Sequence, residues 1–423
     1  MKIKIIIIMI IVNCAILISQ ESNNYKYKKS RIYHSIIIQP IEYSLKGASD
    51  SIMVNFLFRI HHDELLFINE NNTPKAKLNY SIALRNDENI IIKRYTYNDT
   101  LYSSNSNTVN NNLYYFKNIN LLISNKNYKY EVEIDQKERS NLYNKKGIIE
   151  EFDGYRKNNG IGNLIYTYTY NDKLFASVLD SSFDFRTEGL SFYIPIYNPA
   201  SKQYKFNITS IPPTKNIGFN INQQTNITDE ASLIDEILSL NNLGNNEIQL
   251  IKNNDSPINY LKIDLKNYNL YPGNYILRID NKSYKFSIEY LEQPSSLKNI
   301  DFAIKALNLI LNSEEEKKLQ DTEDKYKFIF NYFKPLDTSP KTLYNEAMNE
   351  YFRRVDYAYI NYSDFNEKNG FLTPRGRIYI LYGLPEDVEL ENNPNYSIER
   401  WIYSKINKEF EFEIKNGLYR LLK

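Results

Sequence analysis

Short runs of β-branched and aromatic residues, punctuated by Asn, Asp, Ser and Pro, dominate the chain from about residue 30 to residue 290. Ile36–Ile38, Ser51–Ile60, Ala76–Arg85, Ile90–Tyr97, Leu113–Leu122 and Tyr128–Ile134 read as strands at the spacing of a β-sandwich. Lys129–Ile134 alternates, with Tyr130, Val132 and Ile134 on one face and Lys129, Glu131 and Glu133 on the other. A polar stretch, Asp135–Lys146, reads as a linker or long loop. A second β region follows, through Ile165–Tyr170, Leu190–Tyr197 and Gln203–Ile208. It ends in Tyr275–Ile279 and Tyr284–Ile288, a hairpin turned across Asp280-Asn281-Lys282. Glu230–Leu240 reads as a short helix inserted in it.

The pattern changes near Pro294. Ile300–Leu311 and Thr322–Tyr332 carry helical periodicity. A third helix is expected after Ser339, with Pro340 at its first position. Its apolar stripe is Leu343, Ala347, Tyr351, Val355, Ala358 and Tyr362, and Glu350 and Arg354 are spaced to pair. Arg377–Tyr382 and Arg400–Tyr403 read as strands. Phe410, Phe412 and Ile414 alternate with charged residues before Asn416-Gly417 turns the chain into Leu418–Leu422. The expected architecture is therefore multidomain and mainly β. Two β-sandwich-like regions of immunoglobulin or fibronectin type, 30–138 and 147–292, precede a C-terminal α+β domain over 297–423.

The first twenty residues do not fit this frame. Lys2 and Lys4 precede an apolar run from Ile5 to Ile18, which is the pattern of a signal peptide over 1–20 and is short for a membrane span. Asn13 is a poor neighbour for a lipid-anchored cysteine at Cys14, so the expected destination is periplasmic or outer-membrane-associated without that anchor. With the signal removed, no stretch approaches a membrane-spanning length.

Composition narrows the chemistry. Cys14 is the only cysteine, which excludes a disulfide framework, a Cys-ligated zinc site and a Cys nucleophile in the folded part. Lys plus Arg is 52 and Asp plus Glu is 51, which argues against nucleic-acid binding through a general basic surface. Tyr counts 38 against one Trp, a bias that AT-rich codons explain, so tyrosine frequency carries no weight. His61-His62-Asp63-Glu64 is dense in ligand types, but neighbours on a strand point to opposite faces and no metal site is expected. Gly160-Ile161-Gly162 lacks the rest of a dinucleotide fingerprint, and no G-x-S-x-G is present. Tyr166, Tyr168 and Tyr170 share a strand face and offer either sheet packing or a platform for stacking sugars. No cofactor is implied.

The C-terminal stretch resembles the GWxTD domain family of Bacteroidota-type and related bacteria. The residues that carry the resemblance come in order. Phe333-Lys334-Pro335-Leu336-Asp337-Thr338-Ser339-Pro340 and Asn345-Glu346 lead into Glu350-Tyr351-Phe352-Arg353-Arg354-Val355-Asp356-Tyr357-Ala358. Gly370-Phe371-Leu372-Thr373-Pro374 stands at the naming motif, followed by Arg375-Gly376-Arg377-Ile378-Tyr379-Ile380-Leu381-Tyr382-Gly383-Leu384-Pro385. Glu399-Arg400-Trp401-Ile402-Tyr403 and the final hairpin complete the series. Phe371 stands where the family has Trp, and Pro374 where it has Asp, so a role needing the indole N–H or that carboxylate is lost while aromatic packing survives. The family's biochemical role is not established.

The candidate binding residues are Glu346, Glu350, Arg353, Phe371, Thr373, Arg375, Arg377 and Trp401, with Arg375 and Arg377 facing an anion or a partner carboxylate. No catalytic residue is assigned. The expected function is that of an exported, non-catalytic structural or interaction protein of the cell envelope, whose partner is an envelope protein or glycan. Two alternatives stand beside it: a hydrolase of envelope glycan or peptide using carboxylates of the 340–362 helix, and a carbohydrate-binding protein.

Overall fold

The computed structural model describes residues 36–44, 50–71, 73–102, 114–136, 139–151, 160–177, 181–187, 189–212, 225–234, 238–242, 248–252, 259–290, 293–339 and 343–423. The expected signal peptide and Cys14 lie outside the described residues. The described residues fall into two compact units, one up to residue 289 and one over 290–423. Among them no helix is long and apolar enough to cross a membrane.

The first unit is all β. Three strands, Ile36–Ser44, Ser51–His61 and Tyr114–Ser124, form one antiparallel sheet. Thr73–Arg85 centres a second, with Ile68–Glu70, Ile91–Tyr102, Tyr128–Gln136 and Arg139–Ile149. Period-2 alternation puts Val54, Phe56, Phe58 and Ile60 on the same core as Leu78, Tyr80, Ile82, Val132 and Ile134. Phe58 meets Tyr80 edge-on at 5.1 Å and Phe56 meets Tyr130 at 5.3 Å, so the two sheets close as a sandwich. Each such buried side chain contributes roughly 1.5–3 kcal/mol.

The expected linker is in part a strand. Arg139–Ile149 pairs along Tyr128–Gln136, from Tyr128 opposite Ile149 to Gln136 opposite Arg139. A strand at the end of a sheet needs few apolar residues. Ile149 is buried, whereas the Lys145 ammonium donates to Ile38 O and Lys146 pairs with Glu131.

A twelve-stranded sheet, eleven of its strands in one path and Gly160–Ile161 pairing off it, makes up the rest of this unit among the described residues. It runs from Ser182–Asp184 through Lys282–Glu289, Gly273–Ile279 and Gln203–Ile211 to Asn226–Ile234, then on through Asn259–Asp264, Ser191–Tyr197, Ile165–Tyr170 and Lys173–Ala176. Phe192 packs on Phe286 at 4.9 Å and Tyr166 on Phe183 at 5.5 Å, which brings the two halves of the path face to face. Over Glu230–Leu240 the described residues form strands and not the expected helix. Asn226–Ile234 is a strand in register with Gln203–Ile211, and Leu238–Asn242 is another. Its helix-forming residues give way to ladder pairing on both sides.

The second unit is α+β. Five helices, α1 (Ile300–Leu307), α2 (Ser313–Asp321), α3 (Lys325–Phe333), α4 (Glu346–Asn361) and α5 (Pro374–Tyr382), precede an antiparallel sheet. The sheet runs in chain order: Asp387–Asn392, Ser397–Tyr403, Lys408–Lys415 and Leu418–Leu421. Each helix starts on a side-chain cap: Asn299, Asn312, Asp324, Asn345 and Thr373. The third expected helix thus begins at Glu346 and not at Pro340, because Asn345 Oδ1 takes the Met348 amide. Tyr351, Val355 and Ala358 of its stripe are buried, and Phe352 beside them is buried too.

The strand expected over Arg377–Tyr382 is the helix α5. Thr373 caps it and Pro374 occupies its first position, where a missing N–H costs nothing. Arg377, Tyr379 and Leu381 therefore do not share a face. The last hairpin forms as expected, with Asn416 at φ 52 and Gly417 at φ 74.

Candidate functional site

The naming-motif segment is built into the junction of α4 and α5. A Cβ on Gly370 would lie 2.1 Å from Ala358 O, and one on Gly376 would lie 1.9 Å from Gly370 O. Only glycine lets these backbones approach so closely. Phe371 is buried, with its ring 4.9 Å from Phe302. The Thr373 hydroxyl donates to Gly370 O at 2.8 Å and accepts from the Gly376 amide at 3.1 Å. Glycine, aromatic and threonine thus serve close packing, core filling and helix capping. Proline at the fifth place suits a helix N-terminus, as an acidic residue does.

Arg375 leaves α5 toward the sheet. Its Cζ lies 3.3 Å from the Tyr419 ring centroid and 5.3 Å from that of Tyr362. Its Nη1 is 3.7 Å from Glu399 Oε2, while Glu399 Oε1 accepts from the Trp401 indole N–H at 2.7 Å. The Arg375 and Glu399 side chains are 13% and 15% exposed, and Arg375 Nε is buried without an acceptor. Trp401 packs on Tyr362 and Phe412. Arg375, Glu399 and Trp401 therefore form one nearly closed cluster that joins helix to sheet.

The other expected residues do not join it. Glu346 accepts from the Ser339 and Thr338 hydroxyls. Glu350 pairs with Arg354 Nε at 2.7 Å. Arg353 and Arg377 are exposed. Arg354, paired with Glu350 as its spacing predicts, is buried, with its guanidinium 3.4–3.6 Å from the Cβ position of Gly383. The stripe itself held that signal, because 354 falls between 351, 355 and 358 on a helix face. Asp356 is a further anchor: its carboxylate accepts from the Ser295 and Ser296 amides at 2.5 and 2.8 Å, and burial pushes its carboxyl up.

In the first unit, Tyr166 is buried with its hydroxyl on Lys285 O, and Tyr168 stacks on Phe175, so this pair is sheet packing. Tyr170's side chain lies outside the described residues. His62 stacks between Phe67 and Tyr115 while His61 is buried in the sheet. Among the described residues no group of three His, Cys, Asp or Glu is placed to hold a metal ion. Two shallow depressions, about 520 and 470 Å³, share Lys129 and Ile148 at one end of the first sandwich.

The family model described as the GWxTD domain matches residues 273–419. A comparison with curated proteins returns no match.

Proposed function

From the premise that residues 273–419 are a GWxTD domain, we propose that this chain is an exported, non-catalytic structural or interaction protein of a bacterial cell envelope. One observation carries the reading. Of the polar residues singled out in the C-terminal unit, Glu346 is spent on Ser339, Glu350 on Arg354, and Arg375 on Glu399 and Tyr419. Acid–base work needs a carboxylate aimed at a substrate atom. Here Glu346 and Glu350 are occupied by Ser339 and Arg354, and Glu399 by Arg375 and Trp401.

Export rests on the basic and apolar pattern of residues 1–20. Fractionation of the producing cells, with N-terminal sequencing of the mature chain, tests it; intact residues 1–20 on a cytoplasmic protein would refute it. The non-catalytic part is tested by incubating the protein with peptidoglycan and common glycans. Product release that Glu350→Gln abolishes would transfer the reading to the hydrolase. Crosslinking in the native envelope then identifies the partner, an envelope protein or a glycan.

A further inference from the structure

The C-terminal sheet has two open edges of opposite chemistry. At one, Asp387-Val388-Glu389-Leu390-Glu391-Asn392 is exposed at all six positions and pairs, among the described residues, only with Ser397–Tyr403. Val388 and Leu390 are 51% and 58% exposed. At the other, Leu418–Leu421 pairs, among the described residues, only with Lys408–Lys415, and Arg420 and Leu421 are exposed. Regular exposed edges are templates for another strand.

The two edges match in register. Residue pairs run straight across the sheet from Glu391 through Ile398 and Glu413 to Arg420. The next row runs from Leu390 through Glu399 and Phe412 to Leu421. An acid on one edge is therefore level with a base on the other, and a leucine with a leucine.

They also match in hydrogen-bond phase. The Asn393 amide bonds to Tyr396 O, so by antiparallel alternation Leu390 and Asn392 direct N–H and C=O off the edge. The Leu422 amide bonds to Glu411 O, so Tyr419 and Leu421 do the same on the far side. Leu390 is level with Leu421, and Asn392 with Tyr419. An even number of strands keeps the alternation antiparallel when the sheet is displaced by its own width, about 19 Å.

We propose that a second copy of this chain docks here. Asp387–Asn392 of one copy pairs without stagger against Leu418–Leu421 of the next, with Glu391 facing Arg420 and Leu390 facing Leu421. The acidic edge cannot pair with itself without setting carboxylates against carboxylates. The contact is therefore heterologous, and repeated it gives an open chain of copies. The inference stands on the sheet edges and not on the non-catalytic reading, so either can fail without the other.

Sedimentation of the purified full chain over a concentration series tests it. Self-association is expected, weakening with salt. Glu391→Arg or Arg420→Glu alone should weaken it about tenfold or more, and the two reversals in one chain should restore it. Melting curves of all three should match the parent, since both side chains are exposed. In a Cys14→Ser background, mixing Leu390→Cys with Leu421→Cys should yield a mixed disulfide dimer that neither gives alone. A chain that stays monomeric throughout, reversals without effect, or Leu390→Cys joining chiefly to itself would each overturn the proposal.

Discussion

Two arginines lie on opposite faces of the C-terminal sheet and are held in opposite ways. Arg400, on the face turned away from the helices, has Glu389, Glu409 and Glu411 within 2.8–3.2 Å. Arg375, on the helix side, has one carboxylate at 3.7 Å and a Tyr419 ring beneath it. By distances Arg400 is the better paired. By burial the order reverses, because an exposed ion pair trades against water and salt while a buried one has no substitute for its partner. The nearly enclosed arginine also presents a flat guanidinium to an aromatic face, a contact that lysine does not reproduce. Chemical denaturation of single variants can break this ranking.

The largest effect belongs to the glycine that lets this buried junction close. Gly370→Ala would drive a methyl into Ala358 O, with Ser363 N only 2.6 Å away, and neither atom is a flexible side-chain tip. A loss of about 3 kcal/mol or more is expected in the unfolding free energy. An unchanged denaturation midpoint would show that α4 and α5 separate at little cost.

Arg375→Ala comes next, at about 2–3 kcal/mol, since it uncovers Tyr419 and strips Glu399 of its cation. Arg375→Lys should recover only part of this. Full recovery by lysine would mean that charge, and not stacking, holds the cluster.

Glu131 of the first sandwich sits between the two extremes. Lys146, Asn144 and Arg85 donate to it and hold its carboxyl down to about 2. A lowered native value means that its stabilisation is present above the ordinary 4.5 and drains away as pH falls toward 2. Stability curves of the parent and Glu131→Gln should therefore be separated at neutral pH and converge in acid. Curves that stay parallel down to pH about 2 would show that the network adds nothing.

How much of this was legible in the chain depends on where the information lies. Ser51–Ile60 and Phe410–Leu422 could be read because alternation and a two-residue Asn-Gly turn are local. Arg377–Tyr382 could not, because Ile-Tyr-Ile-Leu-Tyr is as good a strand as a helix and burial on nearly all sides erases the period. Thr373-Pro374 just before it is a helix start, and was the local signal that could have decided. Arg139–Ile149 reads as linker because a polar strand is a strand only beside its neighbour. The partners of Arg375 are farther from legibility still. Glu399 and Tyr419 come from different strands, and only the fold brings them to one guanidinium. Phe371, Thr373, Arg375 and Trp401 stand out in the chain as candidate binding residues; in the structure Phe371 fills the core, Thr373 caps α5, and Arg375 and Trp401 share Glu399.

Arg400→Ala supplies the smallest effect and the sharpest test of the ranking. Removing it leaves Glu389, Glu409 and Glu411 near one another in solvent, where counterions and side-chain rotation relieve the repulsion. Little shift in melting temperature is expected at physiological salt, with a modest loss emerging only as salt is lowered. The same substitution in an Arg375→Ala background should add its effect independently, because the two guanidinium groups lie on opposite faces and share no carboxylate. A loss at Arg400 equal to that at Arg375, or a strong coupling between them, would mean that the outer network is as structural as the inner one, and that counting close charges had been the better guide.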